Sequence, residues 1–268
     1  MNNKSIGVFD SGLGGLTAVK SICELMPNEN IVYFGDTARI PYGTKTEETI
    51  KQYAASDIRF LLSKDVKLIV IACGTASSVA LSDMRKMFDT PIVGVVEAAS
   101  RAAVEKSRNG KIGVIGTSAT IKSGSYLSAI RELDENILVY QNACPLFVPL
   151  VENGHFDTEV THLVIKEYLE DIKKQGVDTL ILGCTHYPLL ERAIGDYMGS
   201  GVELISPSAE LARTLADILG KDNLADEAVK GEAQYFVSDD VEGFSKLGGV
   251  FLEKEICGMV QKIDIEKY

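Results

Sequence analysis

Short apolar runs alternate with amphipathic stretches along most of the chain. IGVFD has strand length, and DSGLGG then leads into a helical pattern from Leu16 to Met26, stopped by Pro27 and Asn28. IVYFGD is the next apolar run, followed by the loop TARIPYGTKT. TEETIKQYAASDIRFLLSK repeats apolar residues at helical spacing, with a start at Thr46 that resembles a capping box. LIVIACG predicts a buried strand, TASSVALSDMRKMF a helix, PIVGVVE a strand and EAASRAAVEKSRN a helix. Strands alternating with helices of about ten or more residues predict right-handed crossovers and a mostly parallel sheet.

The plan then repeats. Ile6 of IGVFD and Ile112 of IGVIG lie 106 residues apart, as do Ile31 of IVYFGD and Ile137 of ILVYQN. Cys73 and Cys184 lie 111 residues apart, as do Pro91 of PIVGVVE and Val202 of VELISPS. Four strand candidates recurring in one order predict two pseudo-symmetric α/β lobes, each a mostly parallel sheet flanked by helices. The second lobe inserts VENGHFDTEV before the helix THLVIKEYLEDIKKQG. In the tail, QYFVSDD and GVFLEKEICGMV read as a hairpin or edge strands. No Pro- or Gly-rich linker separates the halves, so direct crossings near residues 95 and 207 are expected. That gives a first lobe of 1–95 plus 208–268 and a second of 96–207.

Charge narrows the partners. The 27 basic and 38 acidic side chains leave a net charge of −11, which argues against nucleic acid or an anionic membrane. An anionic substrate remains compatible, because local dipoles and amides hold anions inside acidic proteins. MNNKSIGVFD has no apolar signal-like core and no run approaches membrane-spanning length, so a soluble cytoplasmic protein is expected. Five cysteines, without tight framework spacing, point to reduced thiols. Cys23 shares a helical face with Leu16, Val19, Ile22 and Met26 and reads as a small core residue. Cys144 and Cys257 have no motif around them.

Two strands end in the same chemistry. LIVIACGTASS delivers Cys73 and Thr75 to a strand's C-terminal end, and TLILGCTHYPLL delivers Cys184, Thr185 and His186 to another. Open α/β sheets place ligand groups at that edge. Two thiols so placed suit a reaction in which a proton leaves one face of a carbon and returns to the other. Each precedes a predicted helix, whose dipole favours a thiolate. His186 stands two residues past Cys184, where it could orient substrate, move a proton or tune the thiol. His155 and His162 lack such neighbours and read as surface or packing residues. Asp10 and Ser11 open DSGLGG, a glycine-rich strand-to-helix turn that allows close backbone approach. It is not a dinucleotide fingerprint, because the third glycine would fall at Thr17. As a plain tight turn, it would use Asp10 or Ser11 as a helix cap. No Cys-x-x-Cys or His-x₃₋₅-His spacing supports a zinc site built from Cys73, Cys184 and His186. Glu152 in PLVENG and the turn Pro41-Tyr42-Gly43 carry no chemistry by themselves.

Together DSGLGG, YFGDTARIPYG, ACGTAS, PLVENG and GCTHYPLL resemble the glutamate-racemising members of the cofactor-independent aspartate/glutamate racemase family. The resemblance runs in order from Ile6 to about Pro207. It implies an isomerase with its site between two lobes, using two cysteines and neither pyridoxal phosphate nor metal. Cys73 would be the base for D-glutamate and Cys184 the base for L-glutamate, each acting as acid in the other direction. Asp10 would assist Cys73, and Glu152 and His186 would assist Cys184. Asp10, Ser11, Pro41, Tyr42, Gly43, Gly74, Thr75, Thr185 and His186 would bind substrate. The implied product, D-glutamate, enters peptidoglycan, which ties the chain to bacterial cell-wall biogenesis and cell shape. Many members are dimers, which leaves a homodimer open here.

One position departs from that pattern: Gly74 stands where the family usually has Asn. Either a substrate contact is missing, so that Gly74→Asn tightens binding, or glycine serves a positive φ angle. The first is expected. Two other readings compete for the whole chain. An aspartate or hydantoin racemase would share the thiol pair, and a flavodoxin-like binding protein would use DSGLGG for phosphate and leave the thiols unexplained.

Overall fold

The computed structural model describes residues 4–222, 230–256 and 258–268. Its strands are β1 (Ile6–Asp10), β2 (Ile31–Gly35), β3 (Leu68–Ile71), β4 (Ile92–Gly94), β5 (Lys111–Gly116), β6 (Leu138–Ala143), β7 (Thr179–Leu182), β8 (Glu203–Ile205), β9 (Ala233–Val237) and β10 (Val260–Lys262). Its helices are α1 (Leu16–Leu25), α2 (Glu47–Leu62), α3 (Gly74–Met87), α4 (Val95–Lys106), α5 (Ser118–Ser123), α6 (Ser125–Leu133), α7 (Phe147–Glu152), α8 (Glu159–Lys174), α9 (Glu191–Met198), α10 (Pro207–Asp222) and α11 (Val241–Leu252). The strands form two sheets, ordered β10-β9-β2-β1-β3-β4 and β6-β5-β7-β8, and every pairing between them is parallel.

The order β2-β1-β3-β4 recurs as β6-β5-β7-β8, so the sequence repeat is a repeat of topology. The inner strands keep the sequence offsets: Ile6 pairs with Leu68 as Ile112 pairs with Thr179. The outer strands slip. Ile6 faces Ile31, whereas Ile112 faces Val139 and not Ile137. Register is held where both faces are packed and is freer where one face is open. β1, β2, β3 and β7 are buried along their length, while β6 is half-exposed.

Successive strand residues point to opposite faces, which divides the packing around the first sheet. Val8 and Tyr33 join a core with Ile22 of α1, Leu211 and Leu215 of α10, and Leu182 of β7. Phe9 and Phe34 pack instead with Ile58 of α2 and Ala80 of α3. One apolar core therefore passes from the first sheet beneath α1 and α10 into the second.

Several expectations need correction. The tail forms no hairpin: β9 and β10 pair in parallel across α11, because GVFL continues an amphipathic helix and not a strand. Thr46 caps α2 by accepting from the Thr49 amide, but the third residue is Thr49, so no glutamate returns the bond. Cys23 is exposed and not in the core; the buried stripe of α1 is Leu16, Ala18, Val19 and Ile22. Cys257 lies outside the described residues. His155 and His162 are exposed, and His162 pairs with Asp157 at 2.7 Å. No helix among the described residues is long and apolar enough to cross a membrane.

Candidate active site

β1 ends at Asp10, β3 ends two residues before Cys73, and β7 ends two residues before Cys184. Parallel strands deliver these groups to their carboxyl edges, and the two edges face a common cavity of about 360 Å³. Ser11, Pro41, Tyr42, Gly43, Cys73, Gly74 and Thr75 line it from the first sheet's side, and Glu152, Cys184, Thr185 and His186 from the second's. Asp10 lies just beneath this lining. Its Oδ1 accepts from the Gly12 amide at 3.0 Å and its Oδ2 accepts from Thr185 Oγ1 at 3.3 Å, so a carboxylate of one lobe holds the loop of the other.

The two thiols sit in unlike surroundings. Cys73 is the residue before α3, and its Sγ accepts from the Ala76 amide at 3.4 Å. Its thiol donates toward Ser11 Oγ at 3.6 Å. Burial and the nearby Asp10 charge push the Cys73 thiol up to about 12, so the resting group carries its proton. Burial also raises Asp10, against the opposing pull of His186 and the Gly12 and Gly15 amides. Cys184 has no α-helix at its back: Tyr187–Leu190 is a single 3-10 turn, and α9 begins only at Glu191. The helix dipole expected at both thiols thus serves Cys73 alone. Beside Cys184 stands His186, with Nδ1 3.9 Å from the sulfur and Nε2 3.1 Å from Glu152 Oε1. Burial would lower His186, but its bonds with Cys184 and Glu152 prevail and push it up to about 10. His186 therefore bridges the Cys184 sulfur and the Glu152 carboxylate, a position from which it can orient groups or move a proton on that side.

The glycines serve close approach. A Cβ on Gly14 would fall 2.3 Å from Thr185 Oγ1 and 2.6 Å from His186 Nδ1, so DSGLGG is flush against the second lobe's loop. The N-cap position of α1 is Gly15, not Asp10 or Ser11, and it has no side chain with which to cap. Gly74 resolves in the same way. It is not among the positive-φ glycines, and a Cβ there would meet the Gly183 carbonyl oxygen at 2.5 Å. Neither the positive-φ account nor a freely fitting Asn holds.

The substrate-side loop of residues 36–44 is tied down from two directions. Ser238 Oγ donates to Asp36 Oδ1 at 2.9 Å and accepts from the Ala38 amide at 2.8 Å, and the Asp239 amide donates to Thr37 Oγ1 at 2.8 Å. On the other side, Arg39 Nε donates to Asp36 Oδ2 at 2.6 Å and Nη2 donates to Asp57 Oδ1 at 2.7 Å.

Thr117 and Ser118 also line the cavity and were not anticipated from the sequence. The repeat contained the signal: the 106-residue offset that maps Ile6 to Ile112 maps Ser11 to Thr117. Thr117 Oγ1 lies 2.9 Å from Thr75 Oγ1 and 3.0 Å from Thr120 Oγ1, which makes a hydroxyl cluster across the lobes.

Residues 13–215 match the Asp/Glu/Hydantoin racemase family, which spans both thiol loops. The chain belongs to that family. It is 47% identical over 264 residues to a glutamate racemase of Geobacter metallireducens, covering 98% of this chain and 97% of that one. Among solved structures it resembles glutamate racemase from Francisella tularensis in complex with D-glutamate, with a TM-score of 0.93 and 38% identity over the full length of both chains. It also resembles the Thermus thermophilus enzyme in complex with beta-chloro-D-alanine, with a TM-score of 0.90 and 42% identity, covering 100% of this chain and 99% of that one.

Proposed function

We propose that this chain is a glutamate racemase that interconverts L- and D-glutamate by two-thiol proton transfer. The carrying observation is a single cavity with Cys73 supplied by one sheet and Cys184 by the other. In the L-to-D direction, the Cys184 thiolate removes the α-proton and becomes a thiol. The Cys73 thiol then gives its proton to the opposite face of the carbanion and becomes a thiolate. Exchange with solvent, or the reverse reaction, restores the starting pair. His186 and Glu152 serve the Cys184 side, and Asp10 serves the Cys73 side.

The choice of glutamate rests on the relatives' names and on the D-glutamate held by the Francisella protein. Amides and hydroxyls at Ser11, Tyr42-Gly43, Gly74-Thr75 and Thr185 would hold the two carboxylates and stabilise developing charge. This reading divides the chain into lobes of 1–95 plus 208–268 and of 96–207, which the presence of two separate sheets supports. The same reading places the protein in the cytoplasm, supplying D-glutamate for peptidoglycan without a cofactor, and a homodimer is the assembly to test by light scattering.

Circular dichroism of L- and D-glutamate solutions tests the activity directly, with solvent deuterium entry at the α-carbon as the second readout. Turnover of aspartate in preference to glutamate would move the chain to another branch of the family. No exchange from either enantiomer would remove the racemase reading.

A further inference from the structure

Tyr42 lines the cavity, yet its hydroxyl is buried between two carboxyl groups. Its Oη lies 2.5 Å from Asp36 Oδ2 and 3.0 Å from Asp57 Oδ2. A phenol has one proton to give. The shorter contact takes it, and Asp36 accepts from Ser238 and Arg39 as well. Asp57 Oδ1 accepts from Arg39, whereas Asp57 Oδ2 has Tyr42 as its partner, and with the phenol proton on Asp36 no other donor among the described residues reaches it. Two buried oxygens 3.0 Å apart lie at hydrogen-bond distance, and a proton between them relieves the repulsion of their lone pairs. Charge leads to the same place. Both carboxyl side chains are fully buried and share one guanidinium, so one buried negative charge balances Arg39 and two do not.

We propose that Asp57 is a neutral carboxyl that donates its proton to Tyr42 and so acts as a positioning residue for the substrate loop. Arg39 closes the ring, stacked 4.3 Å over Tyr53 of the same helix. The chain of donors runs from Asp57 to Tyr42 to Asp36 and fixes the Tyr42-Gly43 turn against the cavity. Burial, together with the charge of Asp36, raises Asp57 well above the carboxylate range, against the opposing pull of Arg39. Other charged groups nearby pair elsewhere: Asp83 of α3 with Lys51 at 2.8 Å, and Arg59 with the Tyr268 carbonyl at 3.2 Å.

The test compares Asp57→Asn with Asp57→Ala in the full chain. Asparagine reproduces the neutral acid, because Nδ2 donates to Tyr42 and Oδ1 accepts from Arg39. The kinetic half rests on the glutamate racemase reading; the melting half does not. A carboxyl that keeps its proton only when folded loses stability as pH rises from the ordinary carboxylate range toward its folded value. Asp57→Asn is therefore expected to melt at or above the parent at neutral pH, with a gap that widens on the alkaline side. In the assay, Asp57→Asn should keep KM within about twofold of the parent, while Asp57→Ala should raise KM about tenfold with kcat little changed. Should Asp57→Ala fail to fold, Tyr42→Phe removes the same link and carries the same expectation. An Asp57→Asn protein that melts below the parent, or one as impaired in KM as Asp57→Ala, makes Asp57 an anion and overturns the proposal. Asp57→Ala or Tyr42→Phe at the parent's KM overturns the positioning role. A parent inactive on both enantiomers removes the function reading alone and leaves the melting comparison standing.

Discussion

Gly74 and Gly183 touch across the lobes: a Cβ on Gly74 would lie 2.5 Å from the Gly183 carbonyl oxygen. Each glycine adjoins a thiol, so the backbone contact fixes how near Cys73 and Cys184 stand. Gly74→Asn is expected to force the two loops apart. Overpacking of this kind costs about 1–3 kcal/mol, and the displaced thiols lower kcat/KM by about tenfold or more. Gly74→Ala should do nearly the same, since the cost comes from Cβ and not from the amide. Melting temperatures and kinetics of both variants check this, and an Asn variant that binds glutamate more tightly than the parent would overturn it.

Removal of either thiol should end racemisation, because each face needs its own acid or base. Cys73→Ala and Cys184→Ala are each expected to lose activity almost completely, and the double variant to lose little more. Cys23→Ala, with an exposed side chain, and Cys144→Ala, buried in the second lobe, should retain activity if they fold. A Cys184→Ala enzyme racemising at the parent rate would falsify the two-thiol mechanism.

His186 predicts a stability profile. Its folded value is raised from 6.5 to about 10, so the stabilisation is complete below about 6.5 and fades as pH rises toward about 10. Melting temperature should fall over that window. Glu152→Gln keeps an acceptor for Nε2 but removes its negative charge, and should flatten the fall. An equally steep profile in Glu152→Gln would mean that the pair makes no contribution to it.

Asp10→Asn keeps an acceptor for the Gly12 amide but loses a buried carboxylate able to exchange a proton on the Cys73 side. Turnover from D-glutamate is expected to slow by about tenfold or more, with a smaller change in KM. The equilibrium constant fixes the ratio of kcat/KM values in the two directions, so the asymmetry must be read from kcat and KM separately. A change confined to KM would make Asp10 a binding group only.

The fold was largely legible because its signals are local. Buried parallel strands read as continuous apolar runs, and the repeat of Cys73 at Cys184 marked the inner strands of both sheets. The tail was misread because GVFL carries β-forming residues whose helix forms through packing of Phe244 and Phe251 on the first lobe. At the site, the residues inferred from the motifs line one cavity, except Asp10, which lies beneath the lining and does not reach it. What sequence could not supply was depth and approach. The burial of Asp10 against Thr185 and the Gly74–Gly183 contact arise between segments more than a hundred residues apart, where no local pattern records them. Asp57 shows the same limit. On a helix wheel it is one more polar residue, and its meaning depends on Tyr42 and Arg39 arriving from the preceding loop.

The bonds from Ser238 and Asp239 to the loop of residues 36–44 set an order of events during synthesis. Both thiols, strands β1 to β7 and the loop itself are synthesised well before Ser238. Until then β2 has an open edge, and Asp36, Thr37 and Ala38 lack their partners. A nascent chain that stops short of Ser238 thus carries its reacting groups beside an unfinished wall and an incomplete first sheet. Competence arrives only with the final stretch of the polypeptide, which contributes no residue to the chemistry.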